Sequence, residues 1–252
     1  MFRASFVYND LEKFMQTYLF YGVILPERAQ ISLNFELGFS HLTSGEEGRA
    51  KVSIVLNQVA VTVVTKVTWN IHDLRNVVKS ILQNELAMIG YLKGYAYDLE
   101  LTRVLNPSQD IDYVFGIDVA CISKPRESID LDAELKKLKP KTVGRNGVYI
   151  NRCLSDLVSA MKHADDTGFY CFRAIESLRL HCASVHNIDI DNKKAQWEKF
   201  REVSGSDKDD IDKITEAAKP VRHGDIAGIT GNEREELFKK TWDVVESYLE
   251  RI

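Results

Sequence analysis

The stretch AKVSIVLNQVAVTVVTKVTW, residues 50–69, carries the β signal that decides the fold of the first half of the chain. Valine and threonine dominate it, and β-branched residues favour extended strands. The stretch is longer than a typical single strand. It therefore predicts two strands that meet in a hairpin or a bulge near Asn57–Gln58, and hence a β-sheet.

The flanking segments extend this sheet. Apolar and polar residues alternate in ISLNFELGF (31–39), as expected for a half-buried strand, and SGEEGR (44–49) has the composition of a turn. The same alternation returns in YAYDLELTRVL (95–105) and in YVFGIDVACI (113–122). These patterns predict one strand before and two strands after the 50–69 pair.

A helix is predicted between these strands. It begins at Asn70 or Asp73 and ends at Gly90 and Gly94. Its apolar residues recur at intervals of three and four, which gives one stripe for packing on the sheet: Leu74, Val77, Val78, Ile81, Leu82, Leu86 and Ile89.

The second half of the chain has helical periodicity. Residues 123–147 form a charged connector with two prolines and one short helix around Leu131–Leu138. The predicted helices then cover 148–188 with a break near Asp165–Gly168, 192–205, 207–222 and 232–252, the last opening with an asparagine cap. We therefore predict an α+β protein, with a mixed α/β domain at residues 1–145, a small β-sheet with a packed helix, and an all-α helical bundle at residues 148–252.

Composition excludes several classes of function. The chain has 33 Lys and Arg against 37 Asp and Glu, so it is not a basic domain that coats nucleic-acid backbones. No apolar run reaches the ~18–20 residues of a membrane span, and the N-terminus lacks the features of a signal peptide. The four cysteines show no zinc spacing. We expect a cytoplasmic protein with no cofactor, no metal and no membrane partner.

The segment GFYCFRAIESLRLHC (168–182) predicts the central helix of the bundle. Five apolar residues share one face: Phe169, Phe172, Ile175, Leu178 and Cys182. Arg173 and Glu176 are three residues apart, so they can meet on the helix surface. From residue types alone, this is a core helix with a solvated ion pair.

The order of the C-terminal segments resembles that of the HEPN superfamily of helical bundles. An aromatic helix with FRAIESLR is followed by AQWEKFRE, then by ITEAAKPVRHGDIAG, and then by a closing amphipathic helix. The likeness covers roughly residues 150–252 and is greatest to the MauJ-like and ApeA-like members. For the N-terminal domain the sequence motifs indicate no particular family.

This resemblance implies RNA or nucleotide recognition by a homodimer that forms through the helical domain, in stress response or defence against phage. Active members pair an Arg and a His to cleave RNA without a metal, because a cation stabilises the phosphoryl charge while an imidazole moves protons. Carried onto this chain, the catalytic residues are Arg222 and His223. The accompanying binding residues are Arg173, Glu176, Lys219 and Asp225.

The spacing of this motif departs from the pattern of the active members, where four to six residues separate Arg from His. If His223 is the final His, the Arg is due at 216–218, which holds Glu and two Ala. If Arg222 leads, a His is due at 227–229, where none stands. Arg179 and His186 have the spacing but lie in the wrong helix, as chance alone would produce. Ribonuclease activity is therefore disfavoured.

A purely structural interpretation of residues 217–231 stays open. Pro220 is expected to kink or end the helix, and Gly224 to take a positive φ as a terminator. Lys219 and Arg222 would then complement the helix dipole.

Two further functional classes also stay open. One is a non-enzymatic module for protein–protein interaction or dimerisation, favoured by the acidic C-terminal half and the incomplete motif. The other is a sensor in which the N-terminal domain binds a small ligand.

Overall fold

A computed structural model describes residues 15–40, 45–116, 119–224 and 229–252. The chain divides into a sheet unit, Met1–Gly116, and a helical unit, Ile117–Ile252. The predicted α+β class, with a sheet and a packed helix before a helical bundle, is confirmed.

The sheet unit contains a six-stranded antiparallel sheet and one long helix. The strands are β1 (Gln16–Leu25), β2 (Leu33–Ser40), β3 (Glu47–Val55), β4 (Gln58–Thr65), β5 (Asp98–Asn106) and β6 (Ile111–Val114), and the helix is α1 (Ile71–Lys93). The strand order is β2-β3-β4-β1-β5-β6. Strand β1 lies outside the strands predicted from sequence, although it is central and pairs with both β4 and β5.

The predicted hairpin within residues 50–69 is confirmed. Leu56 and Asn57 form its two-residue loop, with φ of 49° and 67°, as in the type I′ turns that match strand twist. The Asn57 side chain accepts a bond from the Ile31 N–H at 2.7 Å and donates to the Ile24 carbonyl at 3.1 Å. These two bonds connect the hairpin loop to the segment that joins β1 and β2.

Helix α1 covers one face of the sheet, as predicted. Asn70 caps its first turn and Gly94 ends it in the left-handed conformation. Four buried side chains of α1 belong to the core of the sheet unit: Leu74, Val78, Leu82 and Leu86.

The helical unit contains seven α-helices in the parts of the chain that the structure describes. They are α2 (Ala120–Ser123), α3 (Leu131–Leu138), α4 (Gly144–Lys162), α5 (Thr167–Val185), α6 (Lys193–Ser204), α7 (Lys208–Arg222) and α8 (Gly231–Glu250). The short helix and the break before Gly168 are confirmed. The cap of α8 is Thr230, which forms a capping box with Glu233, rather than the expected Asn232.

The division between the units differs from the predicted one at residues 145–148. Strand β6 ends at Val114 instead of continuing to 122, and Ile122 of α2 is buried in the helical core. Lys141, within the predicted connector, donates to the carbonyl of Ile252 at 2.7 Å. Residues 119–143 therefore pack as part of the helical unit, a long-range relationship that composition does not reveal.

Helix α5 lies at the centre of the bundle, where it packs against α4, α6, α7 and α8. Most of its residues are buried. Gly168 allows α7 to pass closely, because a Cβ at this position would overlap the carbonyl oxygen of Ala217. This approach places the C-terminal half of α7 beside the first half of α5.

Candidate functional site

Arg173 of α5 is directed toward α4 rather than toward Glu176. Its guanidinium lies 3.1 Å from Asp156, whose carboxylate is 6% exposed, and it also lies over the ring of Phe169 at 5.3 Å. Burial raises the pKa of Asp156, and the charge of Arg173 opposes this shift. The expected Arg173–Glu176 pair is not formed, because a buried carboxylate depends on an ion partner more than an exposed one does.

Glu176 pairs instead with Arg179, one turn further along α5. The two side chains are 3.3 Å apart, and Arg179 is 5% exposed. Its guanidinium also donates to the side chain of Gln196 and lies 5.1 Å from the ring centre of Trp197. Burial lowers the pKa of Arg179, and Glu176 partly offsets this.

The C-terminal end of α7 presents Arg222 and His223 to solvent. The Arg222 guanidinium lies 4.9 Å from the ring centre of Phe172. Within the residues that the structure describes, neither side chain forms an ion pair. Lys219, one turn earlier, is paired with Glu216. Asp225 lies outside the described residues.

A kink or an end was expected at Pro220, and helix α7 ends two residues later, at Arg222. The last turn is closed by the N–H of His223, which bonds to the carbonyls of Lys219 at 3.1 Å and Pro220 at 3.0 Å. Gly224 follows with φ of 79°, as predicted. Pro220 lies in the last turn of α7, so little helix follows it, and Arg222 is the final helical residue.

The buried ring of Phe172 lies between these contacts. Its ring packs against Trp197 at 6.5 Å, so Arg222 and Arg179 lie on two adjoining aromatic rings. We call Phe172, Glu176, Arg179, Trp197 and Arg222 the Phe172 cluster. It contains two of the residues predicted from sequence, Glu176 and Arg222, whereas Arg173 faces another helix.

Two charged members of the Phe172 cluster reach solvent: Arg222, and Glu176, whose side chain is 40% exposed and paired with Arg179. Arg179 is already engaged by Glu176 and Gln196. Arg222 is the exposed cation, and its planar group rests on an aromatic face. A guanidinium held in this way can offer its N–H groups to a phosphate or a carboxylate in a fork geometry.

Sequence reasoning missed the polar groups that hold the bundle together. Arg234 of α8 donates to Thr167 at 2.8 Å and to the carbonyls of Ala160 and Met161 at 3.1 and 2.9 Å. These carbonyls belong to the last turn of α4, where a cation also complements the helix dipole. No local pattern around residue 234 signals this role.

A second buried pair, also missed, joins α5 to α8. The Nδ1 atom of His181 lies 2.8 Å from the hydroxyl oxygen of Tyr248, and both side chains are buried. Burial lowers the pKa of His181, and the nearby His186 lowers it further. Its depth indicates a structural role.

Metal ligands do not gather in the described part of the chain: no three His, Cys, Asp or Glu side chains form a group that could hold an ion. The described helices include none with the length and apolarity needed to cross a bilayer.

Each of the two units matches a domain of one protein family. Residues 18–115 match the N-terminal domain and residues 135–252 the C-terminal domain of one family, described as a domain of unknown function, DUF8168. Together the two matches span most of the sequence, so the chain belongs to the DUF8168 family. Searches of curated proteins and of solved structures found no match.

Proposed function

We propose that the helical unit is a HEPN-like bundle that binds the phosphate of RNA or of a nucleotide at the Phe172 cluster. The observation that carries the proposal is Arg222, an exposed guanidinium stacked on Phe172 with no acidic partner in the described chain. Arginine in this setting is already oriented, so it loses little side-chain entropy when it binds. His223 follows it directly at the end of α7.

Binding without cleavage is the favoured form of this function. Cleavage requires the 2′-hydroxyl of RNA to lose its proton as it attacks the adjacent phosphorus, while the leaving 5′-oxygen gains a proton. One imidazole beside one guanidinium lacks the second Arg/His element that the motif of active members contains. The protein therefore acts as a recognition module, in the cytoplasm and in stress response or phage defence.

The test is binding of a fluorescein-labelled, short single-stranded RNA to the full chain, followed by fluorescence anisotropy. We expect Arg222→Ala to weaken binding by about 10-fold or more, because a hydrogen bond to a charged group contributes about 1.5–3 kcal/mol. Affinity should also fall between about 50 and 200 mM salt, since phosphate contacts release counterions. Unlabelled nucleoside triphosphate as a competitor separates nucleotide binding from RNA binding.

Arg145→Ala provides the matched control, because Arg145 is an exposed arginine at the start of α4. It should bind like the wild type. Equal affinity of Arg222→Ala and wild type would contradict the proposed site. In the same samples, incubated with a metal chelator, RNA that is cut by the wild type but not by His223→Ala would overturn the view that binding occurs without cleavage.

A further inference from the structure

Helix α1 has a second apolar face, on the side away from the sheet. Three large side chains on this face and one just after the helix are exposed to solvent: Met88 by 54%, Tyr91 by 87%, Leu92 by 80% and Tyr95 by 54%. We infer that this face pairs with the same face of a second copy of the chain, which makes the protein a homodimer through α1. This inference does not depend on RNA binding.

The exposed residues follow helical spacing. Five exposed residues of α1 are spaced alternately three residues and one residue apart, which places them on one side of the helix: Asn84, Ala87, Met88, Tyr91 and Leu92. Tyr95 directly follows the Gly94 cap, and its N–H bonds to the Gly90 carbonyl at 3.0 Å, so it extends the stripe at the helix end. We call these six residues the α1 stripe. None of them is charged.

An uncharged stripe of this kind is characteristic of the core of an interface. Interface cores are enriched in Tyr and Met and depleted of charged residues. The opposite face of α1 is already buried, with Leu82 and Leu86 in the core of the sheet unit. Apart from the edge-to-face contact of Tyr95 with Tyr97, this face remains exposed among the described residues, and leaving Tyr91 and Leu92 in water is unfavourable.

The stripe is complementary to itself when two helices run antiparallel. A two-fold axis that crosses α1 between Ile89 and Gly90 places Ala87 of one copy opposite Leu92 of the other, and Met88 opposite Tyr91. A small residue then faces a large one, and a thioether faces an aromatic ring, a favourable contact. Each pair occurs twice, as in the isologous interfaces of two-fold dimers.

The area of the stripe is sufficient for a weak dimer. Its four large side chains expose roughly 600 Å² per copy, given that an aromatic side chain can bury about 150–250 Å². Two copies would bury about 1,200 Å² in total, at the lower limit of specific interfaces. A second copy fits better than a charged partner, because the stripe offers such a partner no opposite charge.

Sedimentation velocity of the full chain tests this inference. Over protein concentrations of about 1–100 µM we expect the wild type to shift from monomer to dimer, as a small interface implies. Tyr91→Glu should be monomeric throughout, because it would bury a carboxylate without a partner. Circular dichroism should show that this variant is folded, since Tyr91 is exposed.

Leu131→Glu is the matched control, because Leu131 is an apolar side chain of the helical unit that is 64% exposed. It should dimerise like the wild type. A wild type that stays monomeric at the highest concentration overturns the inference. So does a dimer that persists in Tyr91→Glu or that is lost equally in Leu131→Glu, and the last result would point to a dimer through the helical unit.

The antiparallel register has its own test. Met88→Lys and Tyr91→Glu should each abolish the dimer. Combined in one chain they should restore it, because the proposed pairing brings each introduced ammonium group to an introduced carboxylate of the other copy. A double variant that is as monomeric as the single variants would overturn the proposed pairing.

Discussion

The two units differ in what they bury. In the sheet unit the buried polar side chains among the described residues are neutral: Asn57, Thr65 and Asn106. In the helical unit they include an acid, an arginine and a histidine: Asp156, Arg179 and His181. Both units nevertheless have a large apolar core. The helical unit therefore buries ionisable side chains in addition to its apolar core, whereas the described part of the sheet unit does not.

The physical origin of this difference is the position of α5. A sheet strand turns alternate side chains toward the core and toward solvent, so its polar residues can remain in water. Helix α5 is packed against four other helices, and several of its polar residues are buried as a result, among them Ser177, Arg179 and His181. A buried ion needs a partner. Asp156 has Arg173, and Arg179 has Glu176 and Gln196, which lie in or beside the Phe172 cluster.

The largest expected effect tests whether the two cores are separate. Phe20 and Phe200 are fully buried, one in each unit. Changing either to Ala should cost about 3–5 kcal/mol. Hydrogen exchange followed by mass spectrometry should then accelerate in the strand peptides for Phe20→Ala and in the helix peptides for Phe200→Ala.

Val55→Ala is the control for this pair, because Val55 is 57% exposed and a surface change of this kind stays within about 0.5 kcal/mol. Faster exchange of both units in response to either phenylalanine variant would refute the separation of the cores.

A smaller effect compares one arginine from each unit. Arg234→Ala removes the guanidinium that donates to the Thr167 hydroxyl and to the carbonyls of Ala160 and Met161, of which Ala160 keeps the donor Thr167, and the change should cost about 2–3 kcal/mol. Arg103 of β5 forms a two-pronged ion pair with Asp112 at the surface, where water replaces the lost bonds. Arg103→Ala should therefore shift the urea midpoint far less. Equal shifts of the urea midpoint would contradict the expectation that the Arg234 contacts stabilise the protein more than the surface pair of Arg103 does.

The smallest effect is a pH dependence that belongs to the helical unit. Because burial lowers the pKa of His181, the unfolded chain takes up the proton more readily than the folded chain. Stability should fall as the pH drops below the ordinary histidine pKa of about 6.5. Urea unfolding monitored by helical circular dichroism at about pH 7.5 and 5.5 should show the loss.

In the His181→Gln variant this pH dependence should be weaker. The exposed His223 provides the comparison, and His223→Gln should retain the wild-type dependence. A His181→Gln variant with an unchanged dependence would assign the effect to other groups.

Local signals in the sequence predicted several features correctly. The hairpin at Leu56–Asn57, the caps of α1, the break before α5 and the positive φ of Gly224 all follow from residues within a few positions of each other. Turn and cap chemistry is local, so the sequence carries it directly.

Features that join distant segments were not predictable in this way. The pairing of Arg173 with Asp156 instead of Glu176 depends on the position of α4, and the role of Arg234 depends on the last turn of α4. The candidate site was predicted in part: Arg222 and Glu176 lie in the Phe172 cluster, whereas Arg173 does not.

The sequence by itself determined the class of the fold, the positions of most helices and turns, and the apolar stripe by which α1 packs on the sheet. Only the tertiary structure decided where the chain divides, that β1 is a central strand, and which cation is left exposed at the end of α7. The reason is physical. Periodicity and capping are encoded within one element, whereas burial and ion pairing depend on which elements the folded chain brings together.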